Sequence, residues 1–148
     1  MAIKERGHHM VILYTATARS TGNGRNGHVR SDDGVLDLEL RTPTASGGPG
    51  GATNPEQLFA AGYSACFHSA LKGVAGRDGL DATGSEVEAR VSLGKLETGH
   101  AYNIAVELDV HLPELDPVAA EQLIAKAHLV CPYSNATRGN VEVTLRVV

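Results

Sequence analysis

The sequence predicts an α+β domain. Three observations carry that reading: several stretches alternate apolar and polar residues, two stretches carry helix start signals, and the elements run strands, helix, strands, helix, strand rather than as a βαβ series. At 148 residues the chain fits one domain, expected over residues 11–148. A composition 42% hydrophobic and 20% charged supports a folded core, and with 4% aromatics and no tryptophan that core must be built from aliphatic and small side chains. Residues 1–10 are polar, include His8 and His9, and hold no hydrophobic segment of a secretory signal. They are read as disordered, or as an expression scar or upstream start, and stand outside the fold argument.

Taken in order, Val11 to Ala18 is β-prone, and a shorter strand is expected around His28 to Arg30 after the glycine-rich turn Gly22 to Gly27. Val35 to Leu40 sets Leu36, Leu38 and Leu40 on one face. Thr44 to Thr53, rich in glycine, reads as a functional or hinge loop. Asn54 caps the first helix, with Pro55 at the first helical position and Gln57 completing a capping box. This helix runs through Leu58, Ala61, Ala65, Cys66, Ser69 and Gly73 and is expected to stop near Gly76; its many small residues let another element pack close. Val87, Ala89, Val91 and Leu93 alternate with Glu86, Glu88, Arg90 and Ser92, and the strongest alternation joins Ile104, Val106, Leu108, Val110 and Leu112. Asp116 and Pro117 open a second helix whose apolar stripe is Ala120, Leu123, Ile124, Ala127 and Val130, and Pro132 ends it after Cys131. Val141, Val143, Leu145 and Val147 form the last strand. All these strands read as antiparallel-type, apolar on one face and polar on the other.

A net charge of −4 and a pI of about 5.9 argue against a nucleic-acid partner. No apolar run reaches the ~18 residues of a membrane-spanning helix, so no membrane partner is expected. Without a secretory signal the expected compartment is the cytoplasm, which disfavours a static disulfide between Cys66 and Cys131. Buried small hydrophobes are the plain reading of two such cysteines; a thiol redox pair is the sharper one. A nucleophilic Cys66 needs a cationic or hydrogen-bonding partner. Its helix neighbours Gly62, Tyr63, Ser69 and Ala70 offer no cation, and His68 points about 200° away. The partner therefore comes from elsewhere in the fold. Cys66, His68, His128 and Cys131 are zinc-ligand types, but Cys66 and His68 face opposite sides of their helix, so four ligands do not converge and no metal is expected. A non-catalytic module holding a lipid-like molecule in an apolar cleft is the other alternative.

The run Asn54-Pro55-Glu56-Gln57-Leu58-Phe59-Ala60-Ala61-Gly62-Tyr63-Ser64-Ala65-Cys66-Phe67 resembles the peroxidatic segment of the organic hydroperoxide resistance (Ohr) proteins. Val130-Cys131-Pro132-Tyr133-Ser134-Asn135-Ala136-Thr137-Arg138-Gly139-Asn140 resembles their resolving segment, and Gly24-Arg25-Asn26-Gly27 and Gly47-Gly48-Pro49-Gly50-Gly51 also match. The second long block separates this subfamily from the related osmotically inducible (OsmC) proteins. The resemblance, from about Leu13 to the C-terminus, implies an OsmC/Ohr-like fold: two antiparallel-type sheets wrapped around central helices in an intertwined homodimer. It implies a thiol peroxidase for alkyl and fatty-acid hydroperoxides, in which Cys66 is peroxidatic, Cys131 resolving, Arg25 the activating cation and Glu56 its carboxylate partner. One residue is inserted before Arg25 relative to the usual spacing, so Arg19 competes for the cationic role, although the glycine context favours Arg25. By the same resemblance the reductant is an external dihydrolipoamide-type dithiol on a lipoylated carrier protein; nothing in the chain resembles a flavin or nicotinamide site, and no bound cofactor is expected. Leu58, Phe59 and Phe67 give apolar surroundings suited to an organic hydroperoxide. If the first helix is continuous, Glu56 lies about 15 Å of rise from its own Cys66. Then either the helix breaks near Gly62 or the site borrows Glu56 from the partner chain, and the second is favoured because Gly62 alone rarely breaks a helix.

Overall fold

In the computed structural model, which describes residues 10–148, the chain divides into two compact units, one ending at Thr53 and the other spanning Asn54–Val148. The expectation for the N-terminus falls, Met10 apart, outside the described residues.

The first unit is an antiparallel sheet of β1 (Ala18–Asn23), β2 (Asn26–Ser31) and β3 (Asp37–Glu39), in that order. Gly24 and Arg25 turn the first hairpin, and Gly24 takes φ 57°, which glycine adopts without steric cost. Gly27 is dictated by space: a Cβ there would lie 2.2 Å from the Thr21 carbonyl oxygen. The strand expected at Val11 to Ala18 is not formed; only Ala18 of it lies in β1. Val11, Ile12, Leu13 and Tyr14 are 65–90% exposed. β-propensity expresses fit to cross-strand neighbours, and among the described residues Val11 to Tyr14 lie in no strand ladder; pairing begins only at Ala18, opposite Ser31. β3 is also shorter than Val35 to Leu40. Side chains capture the amides that would have continued it: Asp33 accepts from Val35 N–H at 2.9 Å and Ser31 Oγ from Leu36 N–H at 2.9 Å.

The second unit begins with α1 (Pro55–Asp78), where Asn54 Oδ1 accepts from the Gln57 N–H at 2.9 Å as the capping signal predicts. The helix passes through Gly76 and stops at Gly79, whose φ of 68° takes the left-handed cap. β4 (Glu86–Lys95) and β5 (Tyr102–His111) pair antiparallel, α2 (Pro117–Val130) and α3 (Pro132–Thr137) follow, and β6 (Glu142–Val147) returns parallel to β5. That last pairing departs from the antiparallel expectation. Alternation reports which face of a strand is solvated and says nothing of direction; the helical crossover from β5 to β6 sets the direction. The α+β class holds. Its core joins Tyr63, Phe67, Leu71 and Val74 of α1 to Val106, Leu108 and Val110 of β5 and to Ala120, Leu123, Ile124 and Ala127 of α2. These positions follow the helical and strand periods on the sequence. The small residues Ala61, Ala65, Ser69 and Gly73 lie instead on the exposed face of α1.

Candidate active site

Burying Tyr63 and Phe67 in the core rotates Cys66 to the margin of α1, where it is half-buried and packed against that core. Cys131 stands at the joint between α2 and α3, fully buried, with an extended ψ of 125° that lets one helix stop and the next begin. Its N–H donates to the Ala127 carbonyl and its own carbonyl accepts from the Asn135 N–H, both at 2.9 Å, so both helices fix its backbone. The two sulfurs lie 3.7 Å apart as free thiols, with the Cys131 S–H directed at Cys66 Sγ. From there a disulfide of about 2.05 Å needs only a small approach.

Burial pushes the Cys66 thiol above its ordinary pKa, the neighbouring Cys131 adds to that rise, and a hydrogen bond from the Tyr133 N–H opposes it. A buried thiol of this kind reaches the thiolate at neutral pH only with further positive charge.

A buried polar network fixes α3 beside the pair. Tyr63 Oη lies 2.9 Å from Ser134 Oγ and 3.3 Å from Thr137 Oγ1, and Ser134 Oγ lies 2.9 Å from His128 Nδ1. Thr137 Oγ1 also donates to the Tyr133 carbonyl at 2.9 Å, and Arg138 donates to the His128 carbonyl at 2.7 Å. Burial, and then the charge of Arg138, lower the pKa of His128. Beside this network, Phe59, Tyr63 and Tyr133 form an aromatic cluster with ring centroids 5.6–6.1 Å apart. The Tyr133 ring rests on the backbone at Gly62, where an added Cβ would meet its hydroxyl at 2.8 Å and its ring carbons at 3.2 and 3.3 Å.

Of the residues singled out on the sequence, Cys66 and Cys131 come together. Arg25 occupies the exposed β1–β2 turn of the first unit and Glu56 the first turn of α1, part-buried; neither is an isolated charge. Arg19 lies on β1, directly across from Arg30. Because α1 is unbroken from Pro55 to Asp78, Glu56 stands about 15 Å along it from Cys66, which removes a break at Gly62 from the two alternatives. Phe67 is wholly buried core, so of the three apolar residues only Leu58 and Phe59 retain exposure. His68 turns away from Cys66 and bonds Ser85 Oγ at 2.9 Å, and His128 bonds Ser134. Among the described residues no group of three or more His, Cys, Asp or Glu is placed to hold a metal ion. The contributions of Tyr63, Tyr133 and Ser134 were not foreseen. Their one signal is Pro132, which ends α2 and equally occupies the first position of a new helix.

Comparison with known proteins locates this arrangement in a family. A family model described as OsmC-like protein matches residues 48–146. An organic hydroperoxide resistance protein of Xanthomonas axonopodis pv. citri is 51% identical over 136 residues, covering 90% of this chain and 94% of that protein. OhrB of Bacillus subtilis, also named an organic hydroperoxide resistance protein, is 48% identical over 137 residues, covering 93% of this chain and 99% of its own length. Its crystal structure superposes with a TM-score of 0.85, covering 93% of this chain and all of that one. The crystal structure of an organic hydroperoxide resistance protein from Legionella pneumophila gives 0.87 at 49% identity, covering 93% and 98%.

Proposed function

The chain belongs to the OsmC-like family, in its organic hydroperoxide resistance branch, and from that premise we propose that it is a cysteine-based peroxidase that reduces alkyl and fatty-acid hydroperoxides to alcohols and so protects against oxidative stress. The observation that carries this reading is the pair of free thiols 3.7 Å apart, one half-exposed and one buried. In the first step the Cys66 thiolate attacks the outer peroxide oxygen. The O–O bond breaks, sulfur loses two electrons to become a sulfenic acid, and the departing alkoxide takes a proton to leave as alcohol. In the second step the Cys131 sulfur attacks the sulfenic sulfur; the S–S bond forms, the S–O bond breaks, and the hydroxyl leaves as water with the Cys131 proton. A dithiol then reduces the Cys66–Cys131 disulfide and is itself oxidised to a cyclic disulfide.

Arg25 supplies the positive charge that the half-buried Cys66 thiol needs, and Glu56 orients the guanidinium. Arginine suits both tasks because its rigid fork offers separate edges to a carboxylate and a sulfur. The reductant is a dihydrolipoamide-type dithiol on a lipoylated carrier protein, with no cofactor bound to the chain itself. The cycle is placed in the cytoplasm, where a dithiol supply keeps a cycling disulfide reduced. The working unit is a homodimer whose composite site takes Glu56 from the partner chain. The exposed apolar stretch Met10 to Tyr14 and the exposed small-residue face of α1 favour a second copy, as does the distance from Glu56 to Cys66 along α1.

The test is a count of free thiols before and after one equivalent of an organic hydroperoxide. Loss of both thiols with an intramolecular bridge is expected. Two thiols that survive at matched concentration would instead leave the chain as a binding module.

A further inference from the structure

We propose that Gly62 is a positioning residue for the second step: its bare Cα lets the Tyr133 ring lie against α1, and this contact holds Cys131 within 3.7 Å of Cys66. The inference rests on the peroxidase reading and adds to it a residue without a reactive group.

Cys131 is the N-cap of α3, and the Tyr133 ring projects two residues later from the same short helix. That ring is partly exposed, and on its inner side Phe59 and Tyr63 brace it at centroid distances of 5.8 and 5.6 Å. Beside that ring, Tyr63 Oη bonds Ser134 and Thr137 of α3, so the helix is held to α1 at two places. The first is the polar grip of Tyr63; the second is the fit of ring to glycine. A methyl group at position 62 would meet the Tyr133 hydroxyl at 2.8 Å. Real Cβ contacts do not occur that close, so the ring must shift, and the part of that shift which Phe59 and Tyr63 block passes to α3 and to Cys131 at its N-cap.

The position of Cys131 decides the fate of the sulfenic acid. Attack by Cys131 on the sulfenic sulfur releases water and closes the disulfide. If that attack is late, a second hydroperoxide transfers its outer oxygen to the same sulfur, leaves as alcohol, and converts the sulfenate to a sulfinate. Closure is unimolecular and depends on geometry, while over-oxidation is bimolecular and depends on peroxide concentration. Misplacing reacting groups by 1 Å costs closure about 100-fold, and a smaller displacement costs correspondingly less.

The experiment treats the full-length reduced protein with increasing tert-butyl hydroperoxide and measures disulfide and sulfinate at Cys66 by mass spectrometry. In Gly62→Ala the peroxide concentration giving half sulfinate should fall about tenfold, in keeping with a sub-ångström displacement. Adding Tyr133→Phe, which removes the atom at 2.8 Å, should restore at least part of that loss. Tyr133→Leu in the presence of Gly62 removes the ring without crowding α1 and should shift the same concentration downward, which keeps the test decisive if Gly62→Ala does not fold. An unchanged half-point in folded Gly62→Ala, or a fall that Tyr133→Phe leaves untouched, overturns the proposal. So does an unchanged half-point in Tyr133→Leu. Failure of the peroxidase reading is a separate result: the unsubstituted protein would then form neither disulfide nor sulfinate.

Discussion

The sequence offered Cys66 and Cys131 as a thiol redox pair beside the plain reading of two buried small hydrophobes; 65 positions separate them, and the packing of α2 and α3 on α1 brings their sulfurs together. Their roles separate by substitution. Cys66→Ser should abolish hydroperoxide consumption, while Cys131→Ser should keep the first step and accumulate Cys66 as sulfenic or sulfinic acid, read by mass spectrometry. Because burial raises the Cys66 thiol, its reactive fraction without added charge increases with pH. Arg25→Ala should therefore slow the reaction most near neutral pH, and the deficit should narrow as the pH climbs toward the thiol pKa, in stopped-flow measurements of thiol loss. If Arg19→Ala shows that pattern and Arg25→Ala does not, the cationic role belongs to Arg19. The buried hydroxyl of Tyr63 was beyond sequence reasoning, because a tyrosine on an apolar stripe reads simply as core. Tyr63→Phe should lower stability by about 1 kcal/mol through the lost hydrogen bonds, as a shift in denaturant midpoint.

Helix starts were the most legible elements, because Asn54-Pro55 and Asp116-Pro117 each place an acceptor and a fixed φ at the same point. Asp116 Oδ1 accepts from the Val118 and Ala119 N–H groups at 3.0 and 3.1 Å, and Asp116→Ala should cost about 1 kcal/mol in thermal or denaturant unfolding. Helix ends were less legible: Gly76 and Gly79 are both plausible stops, and only backbone conformation selects the second. Strand direction could not be read from β6, since its alternation serves a parallel neighbour as well as an antiparallel one. The joint between α2 and α3 also carries a pH dependence. His128 has a lowered pKa in the folded protein, so on acidification the unfolded chain takes up the proton first. Its contribution is full above the ordinary histidine pKa of about 6.5 and declines as the pH falls through that value and below it. Stability measured from pH 7.5 to 5 should therefore drop, and His128→Asn should reduce the drop.

For the whole molecule, the proposed homodimer follows from one length. A helix that begins at Asn54 and passes Gly62 without a break cannot bring Glu56 to its own Cys66. Of the strand expected over Val11 to Ala18 only Ala18 is formed: the apolar side chains of Val11 to Tyr14 signal burial, and the described residues do not bury them. Mixed dimers of Glu56→Ala with Cys66→Ser decide whether the site is shared. One chain then carries the working cysteine and the other the working glutamate, and peroxidase activity should reappear at one site per dimer. Absence of activity in the verified heterodimer would place both residues in one subunit.

The same 65-residue separation has a consequence in polymer terms. Closing the bridge ties a long loop in the unfolded chain and removes many of its random arrangements, while the folded chain, with its sulfurs already neighbours, is changed little. Loop-closure entropy for a ring of this size amounts to about 4 kcal/mol, less whatever strain the bridge introduces. The oxidised protein should melt above the reduced one by several degrees. Exposure to hydroperoxide would thus leave the catalyst in its sturdiest form at the moment when it waits for electrons.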